Sequence, residues 1–284
     1  MNAQYLLDTS ALIDMSKREL ESLRTKGVEL FGSPYSCWEM LCHLDEPDKF
    51  RLRKSNLLKF EYVNMLDNPQ AAATNAILHR VEPNITDREL ALACLGALQN
   101  SESLGAFYSS LIRDSKDHYR KIADVCDRAR RTLDELESQY TSFVSKLVDH
   151  LATRSDIQDA QLHPDFILNL VKGEVNKIVA ANPDGSVVSG DVVVKFYVYY
   201  GYIFYRSLHY IASKGEIDKN DFEDANICLH ISTNTPLQLV TNDKGTLEAL
   251  NCLRASTLNS DHLSIGFEGT VHDTSDLKQL AEVT

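Results

Sequence analysis

Between Ala106 and His163 the chain has neither proline nor glycine. Through most of that tract its apolar residues recur in alternating steps of three and four. Leu104, Tyr108 and Leu111 lead in. Tyr119, Ile122, Cys126, Ala129, Leu133, Leu136, Tyr140, Phe143 and Leu147 follow. This heptad spacing predicts one long helix with charged outer faces, roughly 60 Å long at about 1.5 Å rise per residue. A single apolar stripe does not hold a helix in water, so this one requires a partner, either another helix of the chain or another subunit. From about residue 46 to 181 nearly every apolar pattern is helical, which excludes an all-β fold.

The two ends read differently. "YLL" (5–7) is a short buried strand followed by Asp8 and a helix start, with Thr9 or Ser10 as N-cap. "GVELFGSP" (27–34) is a second strand. "SPYSCWEMLCHL" (33–44) opens a helix, with Ser33 as cap and Pro34 at the first helical position. Strand, helix, strand, helix points to parallel pairing. Towards the C-terminus, "ANPDGS" (181–186) is a turn, an apolar helix spans 188–213, and "SKGEIDKND" (213–221) is a polar loop. A helix at 221–232, a strand at 236–243 and a helix at 244–253 complete the pattern. The expected architecture is α/β. Residues 1–45 and 214–284 form a parallel-sheet domain, and 46–213 form a large, partly coiled-coil helical insertion.

Composition narrows the function classes. With 29 basic and 41 acidic residues the net charge is −12, so the chain is not coated in cationic surface. None of the six cysteines forms a CxxC pair, which predicts free buried thiols in a reducing cytoplasm. The N-terminus lacks the cationic and apolar regions of a signal peptide. The most apolar tract, 191–212, contains Lys195 and Arg206 and reads as a buried amphipathic helix or a strand-to-helix segment rather than a membrane span. Asn84-Ile85-Thr86 matches a glycosylation acceptor, which carries little weight without a secretion signal. No GxGxxG or P-loop pattern supports a nucleotide site, and no HxxxH or HExxH spacing supports zinc.

Carboxylates carry the chemistry. Two apolar strands end alike, "YLLDTSAL" in Asp8 and "LQLVTNDKGTLEAL" in Asp243. Sites in parallel α/β sheets form at the carboxyl ends of strands. Helices beyond those strands offer Glu39, Asp221, Glu223 and Asp224, with 221 and 224 on one helical face. Several carboxylates in one cleft repel unless a cation is present, and all-oxygen ligation suits Mg²⁺ or Mn²⁺. Each acid also has an ordinary reading: Asp8 as a helix cap, Glu39 as a solvated residue, Asp221 and Asp224 as helix-dipole charges, Asp243 as a turn residue. The basic stretch 48–60, with Lys49, Arg51, Arg53, Lys54 and Lys59, is either an RNA-backbone contact or a solvated helix face. Arg128, Arg130 and Arg131 read as surface charge, His43 as structural, and Trp38 as core.

The N-terminal "LLDTSALI" (6–13), "SPYSCWEML" (33–41), "NDFEDANICLHIS" (220–232) and "LVTNDKGTLEAL" (239–250) resemble, in order, the four motifs of the PIN-domain nucleases. The resemblance implies a divalent-metal endonuclease that cleaves single-stranded RNA, often a toxin or RNA-processing enzyme. It implies Asp8, Glu39, Asp224 and Asp243 as the acidic quartet, Asp221 as an added or substitute ligand, and Thr241 as the hydroxyl that orients Asp243 or a metal-bound water. Small members of that family run directly from the second motif to the third, so the long intervening tract is a departure. An oligomeric or antitoxin-like partner would meet that arm. The competing expectation is a binding module of the same fold with a degraded site. A haloacid dehalogenase-like enzyme is disfavoured, because it needs a second acid where Ser10 stands.

Overall fold

The computed structural model describes residues 3–45, 49–77, 86–114, 118–154, 164–181, 190–231, 237–258 and 270–282. The chain divides into two compact units. The first comprises Met1–Asn68, Asn84–Leu136 and Asp273–Thr284, and the second Pro69–Pro83 and Glu137–His272.

The first unit begins with β1 (Gln4–Leu7), α1 (Thr9–Asp14), α2 (Lys17–Thr25), β2 (Glu29–Gly32), α3 (Pro34–Cys42), α4 (Phe50–Leu57), a 3₁₀ turn and β3 (Asn64–Met65). The chain enters the second unit for α5 (Pro69–Ile77). It returns to the first for α6 (Thr86–Gln99), α7 (Leu104–Ser109) and a hairpin of β4 (Leu111–Arg113) and β5 (Tyr119–Lys121). Helix α8 (Ile122–Ala152) starts in the first unit and ends in the second. The second unit continues with α9 (Pro164–Ala180), α10 (Gly190–Ser213), α11 (Asp221–Ile227), β6 (Leu237–Val240), α12 (Lys244–Leu258) and β7 (Val271–His272). Helix α13 (Thr274–Glu282) belongs to the first unit.

The architecture is α/β with parallel strands. In the first unit the order is β3-β2-β1, with Gln4 opposite Glu29, Leu7 opposite Gly32, and Phe31 opposite Asn64. Tyr5, Leu6 and Leu7 are buried in succession, as in a strand covered on both faces. Helix α1 starts one residue earlier than Thr9 or Ser10 would start it. Asp8 is the N-cap and accepts a hydrogen bond from the Ala11 N–H at 2.7 Å, because a carboxylate is the stronger acceptor at the positive end of a helix. Ser33 caps α3, and Pro34 follows it. The other end of α1 is closed by Lys59, whose ammonium donates to the carbonyls of Leu12 (3.1 Å) and Ile13 (2.7 Å). Strand β3 was not anticipated, since two residues carry no readable period.

The long helix begins later than its spacing predicts. Residues 111–113 and 119–121 form an antiparallel hairpin instead of the first helical turns. Asp114 anchors it, accepting from the His118 N–H at 2.9 Å and from Arg120 Nε at 2.6 Å. Leu111 and Tyr119 thereby leave the heptad seam. Of the expected stripe from Ile122 onward, Ile122 and Cys126 are buried in the first unit and Tyr140 and Leu147 in the second, whereas Ala129, Leu133, Leu136 and Phe143 are half-buried. The predicted turn at 181–186 and the Asn84 sequon fall mainly outside the described residues.

In the second unit β6 runs parallel to β7, with Leu239 opposite Val271 and Val240 opposite His272. Helix α10 is its core. Phe196, Tyr197, Val198, Tyr202, Ile203 and Phe204 are all buried. Gly201 lets α12 approach: a Cβ there would lie 2.6 Å from Leu253 Cδ1, closer than real contacts permit. No described helix is long and apolar enough to cross a membrane. The helix predicted at 221–232 is shorter, α11 giving way to a 3₁₀ turn at Cys228–His230. All six cysteines are free thiols, five of them buried.

Candidate active site

The first unit places one pair of acids. Asp8, 3 % exposed, follows β1 directly. Besides capping α1, it accepts from Ser10 Oγ at 2.9 Å. Its burial is therefore offset by a helix N-terminus and a hydroxyl. Glu39 lies on α3, half-buried, and accepts from Thr9 Oγ1 at 2.6 Å. Thr9 is the neighbour of Asp8, so consecutive residues after β1 supply one acid and anchor the other. The fold brings them together because β1 and β2 are parallel neighbours and each passes at its carboxyl end into a helix.

The second unit places the other acids. Asp243 is exposed at the N-terminus of α12, three residues beyond β6. Its Oδ1 accepts from the Thr246 N–H at 2.6 Å, and its own N–H donates to Thr241 Oγ1 at 3.0 Å. Thr241, fully buried, thus sets the turn that presents the acid. Thr246 does more than close that turn. Its hydroxyl donates to Asp224 Oδ2 at 2.8 Å. One threonine therefore holds two carboxylates, one from α11 and one from the end of β6. Tyr202 on α10 approaches Asp224 at 3.4 Å. Burial, then the charges of Asp224 and Asp221, push the Tyr202 phenol well above its ordinary pKa, so it remains a neutral donor.

Asp221 plays a different part. It is 3 % exposed, its Oδ2 accepts from Arg206 Nε at 2.8 Å, and Tyr210 Oη donates to the same oxygen. Burial alone would lower the Arg206 pKa, but the bond and charge of Asp221 outweigh it and hold the guanidinium more firmly charged. A carboxylate with a counter-ion built into the fold makes a poor metal ligand. Asp224 instead accepts from the hydroxyls of Thr246 and Tyr202.

The basic stretch turns partly inward. Lys54 donates to the carbonyls of Gln99 (3.2 Å) and Ser101 (2.6 Å), closing the end of α6, and Lys59 closes α1. Lys49 and Arg51 are exposed, and Arg53 is half-buried. Of the other basic cluster, Arg130 bonds the Cys42 carbonyl at 2.6 Å and Asp45 at 3.0 Å. Thr9, Tyr202, Arg206 and Thr246 escaped the sequence reading. Thr246 carried a usable signal, three residues after an acid at a helix start. Arg206 lay hidden in an apolar helix.

Among the described residues no group of three or more His, Cys, Asp or Glu side chains is disposed to hold a metal ion. The donor chemistry of the Asp224–Asp243 pair nonetheless suits Mg²⁺, which takes one or two carboxylates, keeps several waters and completes its shell with substrate phosphate. No family model, no curated protein and no solved structure matches this chain.

Proposed function

We propose that the chain is a divalent-metal-dependent endoribonuclease acting on single-stranded RNA in the cytoplasm, with a PIN-like arrangement of motifs. The observation that carries this reading is the Thr246 bridge, which sets the Asp224 and Asp243 carboxylates side by side at the end of a parallel strand. Asp8 and Glu39 form a second acidic pair after β1, supported by Thr9. When bound, Mg²⁺ or Mn²⁺ would lower the pKa of a water and offset charge on a phosphate. The chain's residues do the rest. Asp224 and Asp243 would hold the ion, and Thr246 and Thr241 fix their orientation. Lys49 and Arg51, both exposed, would contact an RNA backbone.

A second reading, a binding module with a degraded site, draws support from the lack of a three-ligand group among the described residues. One experiment separates the two. Purified protein is given Mn²⁺ and a pool of single-stranded RNA and DNA oligonucleotides, alongside Asp8→Asn and Asp243→Asn. The nuclease reading expects RNA cleavage that falls at least about a hundredfold in either variant. Cleavage by both variants at the wild-type rate would refute it. No cleavage and no Mn²⁺ uptake by calorimetry would favour the binding module.

A further inference from the structure

The guanidinium of Arg206 is held on one side and unspent on the other. Nε donates to Asp221 Oδ2 at 2.8 Å, Nη2 to Tyr210 Oη at 3.3 Å, and Cζ lies 5.3 Å from the centre of the Tyr210 ring. Tyr210 is itself fixed, accepting from the Asp218 N–H at 2.8 Å and donating to Asp221. Among the described residues Nη1 makes no hydrogen bond. It points at the start of α12: a Cβ built on Gly245 would lie 2.6 Å from Nη1 and 3.2 Å from Asp243 Oδ1. The two groups thus flank one point without forming an ion pair with each other. A side chain on residue 245 would occupy the space between them.

Three features exceed what a structural ion pair requires. The side chain is 12 % exposed rather than sealed. The donor left over is the one that faces Gly245 at the start of α12. The residue that would block it is a glycine with ordinary φ, where any L-residue fits the backbone. A guanidinium anchored by a carboxylate and a phenol, with one N–H pair free beside an exposed acid, suits a phosphate oxygen.

We propose that Arg206, supplied by the long helix α10, is a catalytic residue that contacts a non-bridging oxygen of the RNA phosphate at the Asp243 site. The catalytic part of this assignment rests on the nuclease reading; the phosphate contact stands apart from it. Asp221, Tyr210 and Tyr202 are then positioning residues, and Asp221 serves as counter-ion to Arg206 rather than as metal ligand.

The test uses the full chain and a fluorescein-labelled single-stranded RNA 12-mer. Affinity is read by anisotropy in EDTA over a salt series, and cleavage is started separately with Mn²⁺. The variants are Arg206→Gln, which removes the charge, and Gly245→Ala, with circular dichroism to confirm folding. Gly245→Ala removes no group and favours the helix, but its methyl displaces Nη1, so it remains informative if Arg206→Gln fails to fold. Each folded variant is expected to lose one phosphate contact, lowering the slope of log affinity against log salt by about 0.7. Cleavage at saturating RNA is expected to fall at least about tenfold. Wild-type slope and affinity in both folded variants would overturn the proposal, as would a wild type that binds no RNA. If wild type binds and the variants lose slope while nothing is cleaved, the phosphate contact stands and the nuclease reading fails.

Discussion

Replacing Thr246 by valine removes one hydroxyl and preserves shape, β-branching and the backbone N–H that serves Asp243. Thr246 is 1 % exposed, so no water takes the place of the lost donor. The bond removed is the 2.8 Å link to Asp224 Oδ2. A hydrogen bond to a charged group contributes about 1.5–3 kcal/mol net. That corresponds to a factor of about 10 to about 150 in the ratio of folded to unfolded protein. The approach of Tyr202 Oη at 3.4 Å is too long to replace it, which keeps the expected loss within that range. Urea unfolding followed by far-ultraviolet circular dichroism reads the loss as a lower midpoint at unchanged slope. Thr246→Ser retains the hydroxyl and should recover most of the stability. A cycle with Asp224→Ala should show a coupling of about 0.5–3 kcal/mol, as expected for residues in direct contact. A Thr246→Val protein with the wild-type midpoint, or a coupling of zero, would refute the bridge as the element that sets the two acids.

Asp221→Ala leaves Arg206 a buried cation without its partner and should cost about 3–5 kcal/mol, measured by the same unfolding assay, with Asp221→Asn costing less. Alkaline pH tests the buried tyrosines. Burial raises the Tyr35 phenol to about 12 and pushes Tyr140 and Tyr202 well above the ordinary value. These groups hold their protons more tightly folded than unfolded. They leave stability unchanged below pH 10 and erode it as pH rises from 10 towards 12, by up to about 1.4 kcal/mol per pH unit for each tyrosine. Spectrophotometric titration at pH 11 should therefore ionise fewer than the 12 tyrosines until the chain unfolds.

Strand endings were the most legible part of the molecule. "YLL" is a continuous apolar run and "LQLV" an apolar one broken only by Gln238; both stop at polar residues, and both are strands. Ser33-Pro34 declares a helix start, because capping chemistry is local. The hairpin at 111–121 was illegible for the converse reason. Tyr119 and Leu111 satisfy a heptad, and only the fold reveals that Asp114 pairs with Arg120. At the candidate site, Asp8 and Asp243 stand at positions the pattern marks. The identity of their supporting side chains depends on long-range packing. Arg206 lies within an apolar run, and nothing in its neighbours signals that Asp221, 15 residues away, takes its charge.

The docking of α13 on α2 has a consequence for how the protein is made. Asp14 accepts from Thr274 Oγ1 at 2.5 Å and from Lys278 Nζ at 2.7 Å, while Lys26 Nζ and Ser22 Oγ donate to the Ala281 carbonyl, each at 2.8 Å. Leu277 of α13 is fully buried. At translation rates of about 5–20 residues per second, α2 leaves the ribosome between about 13 and about 50 s before its covering helix exists. Throughout that interval the face α13 will cover is open to solvent and to chaperones. The first unit is therefore completed only after every residue of the second has been made.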